Sequence, residues 1–303
     1  SRVVGTPGAK ALLHHVATAT LGAGDEALVP DPGYPVAAGI VRLAGARSVP
    51  YPIHPERGID VEALERLVTA RTRLLVLNSP HNPTGAMATR GQLDAIADLA
   101  HRRDLVVLSD EIYWRHVYDG AHESIATRPG MAARTVVVDG LSKAWAMTGW
   151  RLGFGLMPAW LAAEVTRLVS LSTTCVPAFV QEAGIAALEG PDDEMTSYVA
   201  ELRRRRDWLV GALNEIPGIR CAAPRGAFYV FPCVRGLLAR TSLDAADLAR
   251  RLLDEAGVAC VPGSAYGAQG EGHLRLSFAA SMEELREAVD RIRQFSAAGS
   301  RCS

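Results

Sequence analysis

Residues 105–143 read LVVLSDEIYWRHVYDGAHESIATRPGMAARTVVVDGLSK, and this stretch decides the fold class. It holds two short apolar runs, 105–108 and 136–138, in which hydrophobic residues follow one another without alternation. A strand that is apolar at successive positions has both faces covered, as in a parallel sheet between layers of helices. Each run ends in polar residues. Ser109, Asp110 and Glu111 follow the first; Asp139, Gly140, Leu141, Ser142 and Lys143 follow the second. Ligands of open parallel sheets sit beyond the carboxyl ends of the strands, so a carboxylate and an amine are expected at one crevice.

Working outward, the same alternation continues. Strands are predicted at 27–30, 47–52, 73–78 and 152–156, and helices at 9–21, 34–43, 61–68, 90–102 and 158–171. This predicts an α/β fold with a mainly parallel sheet sandwiched by helices. The pattern changes near residue 192. A long charged helix is expected at 191–216, then strands at 226–232, 258–261 and 272–279 with helices at 242–256 and 281–295. The expected organisation is a large domain, 1–192, and a smaller C-terminal α+β domain, 193–303.

A chain of 303 residues is long enough for two lobes. Its hydrophobic fraction of 49% and charged fraction of 21% are those of an ordinary globular protein. The net charge of −1 gives no electrostatic case for nucleic acid or an anionic membrane. No apolar run approaches the ~20 residues that span a bilayer. The opening SRVVGTPGAK is not a secretory signal, so a cytoplasmic location is expected. Cys175, Cys221, Cys233, Cys260 and Cys302 form no C-x-x-C and no zinc spacing; they read as reduced thiols, and no metal site is expected. Of 32 Lys plus Arg, only Lys10 and Lys143 are lysine, a bias that a GC-rich genome explains. Arginine stays protonated, so amine chemistry falls to one of those two positions.

Three strand ends carry polar clusters: 78–85 (NSPHNPTG), 109–113 (SDEIY) and 139–143 (DGLSK). Taken singly, the first is usually a turn, an Asp after a strand is often a helix cap, and a loop lysine is usually a surface charge. Together, on successive strands, they form a constellation. The segment Gly5–Lys10 puts small residues before a helix, leaving backbone N–H groups free for a phosphate, although it is not a Walker A sequence. Arg275 lies inside the apolar strand pattern 274–278, which is costly unless an anion partners it.

The segments SPHNPTG (79–85), SDEIY (109–113), SKAWAMTGWRLG (142–153) and GHLRLSFA (272–279) give the chain its resemblance to the class I and II aminotransferases, which are fold-type-I pyridoxal-phosphate enzymes. The resemblance runs over essentially the whole chain. It implies the fold-type-I large domain, pyridoxal 5′-phosphate as cofactor, and a homodimer. By the same resemblance Lys143 would hold the cofactor as a Schiff base and carry protons. Asp110 would pair with the pyridine nitrogen, and Asn82 and Tyr113 would hydrogen-bond the ring oxygen O3′. Arg151 and Ser142, with Gly8, Ala9 and Lys10, match the phosphate site, Lys10 being a second candidate for charge contact there. Tyr34 matches the aromatic that stacks on the ring. Arg275 matches the arginine that binds the substrate α-carboxylate, and Asn82 is a second substrate-binding candidate. Trp145 and Trp150 read as packing residues. The implied reaction moves an amino group from an L-amino acid to a 2-oxo acid, with 2-oxoglutarate as the default acceptor. Two other readings stay open: another reaction on the same scaffold, either a C–S β-lyase, some of which share His81 as other aminotransferases do, or a cyclopropane-forming synthase; and the aminotransferase-like sensor half of a transcription regulator. The family's N-terminal stretch has no match here, so the chain reads as a fragment or as a naturally short member.

Overall fold

The computed structural model describes residues 2–241 and 243–299. The chain runs β1 (Val3–Thr6), α1 (Ala9–Thr20), β2 (Glu26–Asp31), α2 (Pro35–Leu43), β3 (Arg47–His54), β4 (Gly58–Ile59), α3 (Val61–Arg66) and β5 (Thr72–Asn78). Next come α4 (Arg90–Arg102), β6 (Val106–Asp110), β7 (Thr135–Gly140), α5 (Leu141–Ala144), β8 (Gly153–Leu156) and α6 (Ala159–Ser172). The remainder is α7 (Ala178–Glu189), α8 (Asp193–Asn214), β9 (Tyr229–Val230), α9 (Arg235–Thr241), α10 (Ala245–Ala256), β10 (Val261–Pro262), β11 (Leu274–Ser277) and α11 (Met282–Gly299).

Eight strands form one sheet in the order β1-β8-β7-β6-β5-β2-β3-β4. The run β3-β2-β5-β6-β7 is parallel throughout. β8 is antiparallel to β7 and β1, and β4 is antiparallel to β3. The mainly parallel sheet expected from the sequence is present. β5 shows how the apolar runs produce it. Leu74 and Val76 pack with Leu12 and Val16 of α1 and Ile40 of α2, while Leu75 and Leu77 pack with Ile96 and Leu99 of α4. Successive strand side chains point to opposite faces, so a run that is apolar at every position holds helices on both sides. Each fully buried leucine of this kind contributes roughly 1.5–3 kcal/mol.

The smaller sheet, β10-β11-β9, is antiparallel. Leu209 of α8, Leu252 of α10 and Val289 of α11 cover it, packed with Val230, Leu274 and Leu276. Its strands are shorter than the sequence suggests: the expected 226–232 and 272–279 shrink to β9 and β11, and in place of 258–261 the strand is Val261–Pro262, which meets the expected range only at Val261. β1 and α7 are elements the sequence pattern does not announce. β1 has four residues, too few for a period. α7 (AFVQEAGIAALE) is apolar nearly all round and buries only Val180 and Gly184, so it shows no stripe. Position 242, where a helix start was expected, and Cys302 lie outside the described residues. Cys175, Cys221, Cys233 and Cys260 are unpaired. Among the described residues no cluster of His, Cys, Asp or Glu is built to hold a metal, and no helix is long and apolar enough to cross a membrane.

Chain order reverses at β2, which has β3 on one side and β5 on the other. Because the five strands are parallel, β2, β5, β6 and β7 bring Asp31, Asn78, Asp110 and Gly140 to one edge of the sheet. A crevice opens at such a switch point.

Candidate active site

Asn78 stitches this edge together. Its Nδ2 donates to the Asp110 carbonyl at 3.0 Å, and its Oδ1 accepts from the Asn82 backbone N–H at 2.8 Å. The turn that follows β5 is thereby anchored to β6, with Asn82 buried at its centre. From β7 the chain enters α5 through Gly140, where a Cβ would lie 2.8 Å from the Leu152 carbonyl. Lys143 is the third residue of α5, one turn beyond the sheet edge.

The phosphate-loop candidates form a second corner. Gly8 has φ +85°, and a Cβ there would fall 2.3 Å from Arg151 Nη2. Only glycine accepts both the backbone angle and the guanidinium. Arg151 itself sits in the left-handed region, φ 56°, with Nη1 donating to the Thr148 carbonyl at 3.1 Å.

A cavity of about 270 Å³ joins these corners. Ala9, Lys10, Tyr34, Asn82, Asp110 and Tyr113 line it, as do Ser142, Lys143, Arg151 and Arg275. The structure thus brings together every candidate residue read from the sequence except Gly8, which packs against Arg151 without lining the space. The sequence reading passed over Tyr229, which also lines the cavity, and Tyr266, whose ring meets the Arg275 guanidinium. Tyr229 sits in the run AFYVF, which reads as core strand. The one available signal was its hydroxyl, which needs a partner when buried. A larger and more open cavity of about 760 Å³ lies between residues 52–62 and Phe231, Arg235 and His273. Its arginines, Arg57, Arg220 and Arg235, are exposed to solvent, as are Lys10 and Arg151 of the smaller space; what sets the smaller space apart is the buried Asp110 beside the half-buried Lys143 and Arg275.

That charge is specific. Among the described residues Lys10, Lys143, Arg151 and Arg275 form no ion pair with a carboxylate. Lys143 is half-buried, and burial, then Arg151 and Arg275, lower its pKa from the ordinary lysine value. Arg275 lies between two rings, its Cζ 4.2 Å from the Tyr229 centroid and 5.1 Å from that of Tyr266. Its Nη1 donates to Asn82 Oδ1 at 3.2 Å, and its buried Nε has no partner. Asp110 is the converse. Burial first, then Asp139 and Glu111, raise its carboxyl to about 7, while one bond from the Ile112 backbone N–H at 3.2 Å opposes them. No cation pairs with it among the described residues.

These unpaired groups suit the cofactor that the sequence resemblance implies. Pyridoxal phosphate needs an amine for its aldehyde, an acceptor for its ring N–H, and donors for its phosphate. Lys143 offers the amine and Asp110 the acceptor. Arg151, with the first backbone N–H groups of α1, suits the phosphate, since the start of a helix favours anions. Arg275 remains for a second anion, such as a carboxylate.

Comparison with known proteins gives the family. The family model for aminotransferase class I and II matches residues 1–292. An aspartate aminotransferase of Musicola paradisiaca is 41% identical over 293 residues, covering 96% of this chain and 72% of that protein. An arginine–pyruvate transaminase of Pseudomonas aeruginosa is also 41% identical over 293 residues, covering 96% and 74%. Among solved structures, the aromatic aminotransferase of Pyrococcus horikoshii superposes with a TM-score of 0.94 at 38% identity, covering 98% of this chain and 80% of that one. With a family-model match over residues 1–292 and relatives that share both its sequence and its fold, this chain belongs to the class I and II aminotransferases.

Proposed function

We propose that this aminotransferase uses pyridoxal phosphate held on Lys143 to move the amino group of an L-amino acid to a 2-oxo acid, with 2-oxoglutarate as acceptor. The observation that carries the reading is the charge pattern of the cavity: four cations without carboxylate partners around one buried carboxyl without a cation. When bound, the cofactor supplies an aldehyde that captures amines and a ring that withdraws electrons from the substrate α-carbon.

The chain's own groups then have distinct tasks. Arg275 grips the α-carboxylate, held in line by Asn82 and by the two tyrosine rings. Once the substrate amine has replaced it on the cofactor aldehyde, Lys143 Nζ, pushed toward its neutral form by burial and by two arginines, would take the proton from the α-carbon. Asp110 holds a cationic N–H of the ring, and that contact draws its carboxyl back toward the ordinary range. Arg151 anchors the phosphate, so the reacting atoms stay within reach of Lys143.

The test is spectroscopic. Purified protein with added pyridoxal phosphate is expected to show a visible absorbance band that moves when an amino acid is added and returns with 2-oxoglutarate. Lys143→Ala is expected to lose the band and lower turnover by at least about 10²–10⁴-fold. A variant that kept both would overturn the assignment. Release of pyruvate and ammonia from cysteine-type substrates without any acceptor would point to a lyase instead.

We also propose a cytoplasmic homodimer. Trp150, Phe179, Ile185 and Leu188 are exposed, three of them on α7, and Trp150 adjoins Arg151 at the cavity. An apolar face of this kind is suited to a second copy of the chain. A strictly monomeric species in sedimentation at micromolar concentration would count against it.

A further inference from the structure

Two phenol oxygens, those of Tyr113 and Tyr229, lie 2.9 Å apart in a buried contact. Their rings meet edge to face with centroids 5.8 Å apart. Each phenol has one proton to give. Their mutual bond uses one of the two, and the other is free to point elsewhere. If Tyr113 donates to Tyr229, the cavity meets only its lone pairs. If Tyr113 accepts, its own proton can point into the cavity.

The surroundings of the two rings differ. The Arg275 guanidinium lies on the face of Tyr229, with Cζ 4.2 Å from the centroid. A cation there draws electron density from the ring and makes the attached O–H a better donor. Tyr113 instead meets edge-to-face rings, Phe228 at 5.2 Å, Tyr229 at 5.8 Å and His116 at 6.0 Å. Burial, then Tyr229 and Asp110, push its phenol well above the ordinary tyrosine range, and Arg275 opposes them. Tyr113 therefore keeps its proton, and the cation on the face of Tyr229 makes Tyr229 the better donor of the pair.

We propose that Tyr229 is a positioning residue that donates to Tyr113 Oη and so directs the Tyr113 proton into the cavity as a donor for an anionic oxygen. Bonds aligned in this way polarise one another, so Tyr113 donates more strongly than a lone phenol would. The donor direction is a property of the protein alone. The anionic oxygen it serves rests on the cofactor reading above.

Infrared spectroscopy of the cofactor-free protein tests the direction. The protein carries ring-¹³C tyrosine, and the Tyr113 band is identified by its loss in Tyr113→Phe. Tyr229→Phe removes the hydroxyl and keeps the ring under Arg275. Asp110, Arg275, His116 and Lys143, the titratable groups around Tyr113, are unaltered. A phenol C–O stretch falls when the oxygen accepts a bond and rises when its hydrogen is donated. The expected result is an upward move of the Tyr113 band in Tyr229→Phe. A downward move, or none, overturns the proposal. A second measurement uses the protein loaded with pyridoxal phosphate. The pH midpoint of its absorbance change is expected to rise by about 0.5–1 unit in Tyr229→Phe, the size of one lost hydrogen bond. An unmoved midpoint overturns the cavity-facing half. A wild-type protein that takes up no cofactor would sink the proposed function, while the infrared result would still decide the donor direction.

Discussion

Three acids crowd the ends of β6 and β7, and they are not equivalent. Glu111 accepts from Ser109 Oγ at 2.8 Å, Ser124 Oγ at 2.7 Å and His122 Nε2 at 2.8 Å. Asp139 accepts from Trp114 Nε1 at 2.8 Å and from the Gly140 backbone N–H at 2.7 Å. Asp110 has a single backbone donor at 3.2 Å and faces the cavity. It is therefore the acid whose charge is left for a ligand. Asp110→Asn preserves size and the backbone bond while removing that charge. Its amino-transfer turnover is expected to fall by about 10²–10³-fold, as when a preorganised electrostatic contact is lost. A turnover within tenfold of wild type, measured with cofactor saturating, would exclude Asp110 from the role given to it.

At the scale of elements, the turn entering α1, the turn entering β8 and the side chain of Arg151 interlock. A Cβ on Gly153 would lie 2.2 Å from the Ala9 nitrogen and 2.6 Å from its Cα. Neither atom belongs to a flexible side chain, so Gly153→Ala must push the start of α1 outward. Overpacking of this kind costs about 1–3 kcal/mol. Here the displaced groups are the proposed phosphate donors, so cofactor affinity is expected to weaken by about 10–100-fold at that cost. Fluorescence titration with pyridoxal phosphate measures it, and an unchanged far-UV spectrum separates it from unfolding. Unaltered affinity would remove the α1 turn from the site. These close backbone approaches also mark where the sequence could be read. The parallel strands were legible because apolar residues at successive positions have one structural meaning. The polar clusters at their carboxyl ends were legible as neighbours because parallel strands send those ends to one edge of the sheet. β1 and α7 were not, because one is too short for a period and the other is apolar on the side it exposes. Tyr229 was hidden for a related reason: in AFYVF a tyrosine looks like one more buried ring, and only Tyr113, 116 residues away, gives its hydroxyl a meaning.

For the whole molecule, buried titrating groups pull stability in opposite directions as pH changes. Burial raises Asp110 to about 7 and Asp139 to about 6, from an ordinary 3.8. The folded protein holds these protons more tightly than the unfolded chain, so their contribution is most favourable below about pH 4 and is lost as pH rises through 6 and 7. Burial lowers His81 to about 3 and His116 to about 4, from an ordinary 6.5. Their contribution is complete above about pH 6.5 and is lost as pH falls toward 4 and 3. Hydrogen bonds from Arg47 and Thr69 hold Glu26 at about 2, and its contribution is lost at the acid edge below about pH 4.5. Between pH 4 and 6 the two aspartates and the two histidines oppose each other, and from 6.5 to 7 Asp110 alone still changes. Cofactor-free Asp110→Asn is therefore expected to be more stable than wild type at pH 8, by on the order of a few kcal/mol, and to lose that advantage at pH 4.5. Thermal melts at the two pH values measure this. Adding pyridoxal phosphate at pH 8 is expected to raise the wild-type midpoint more than that of the variant, because a ligand stabilises the form that binds it better. The carboxylate would then be a burden to the unloaded fold that the ligand relieves, as expected of a group kept for chemistry. Equal melting of the two cofactor-free proteins at pH 8 would contradict that account.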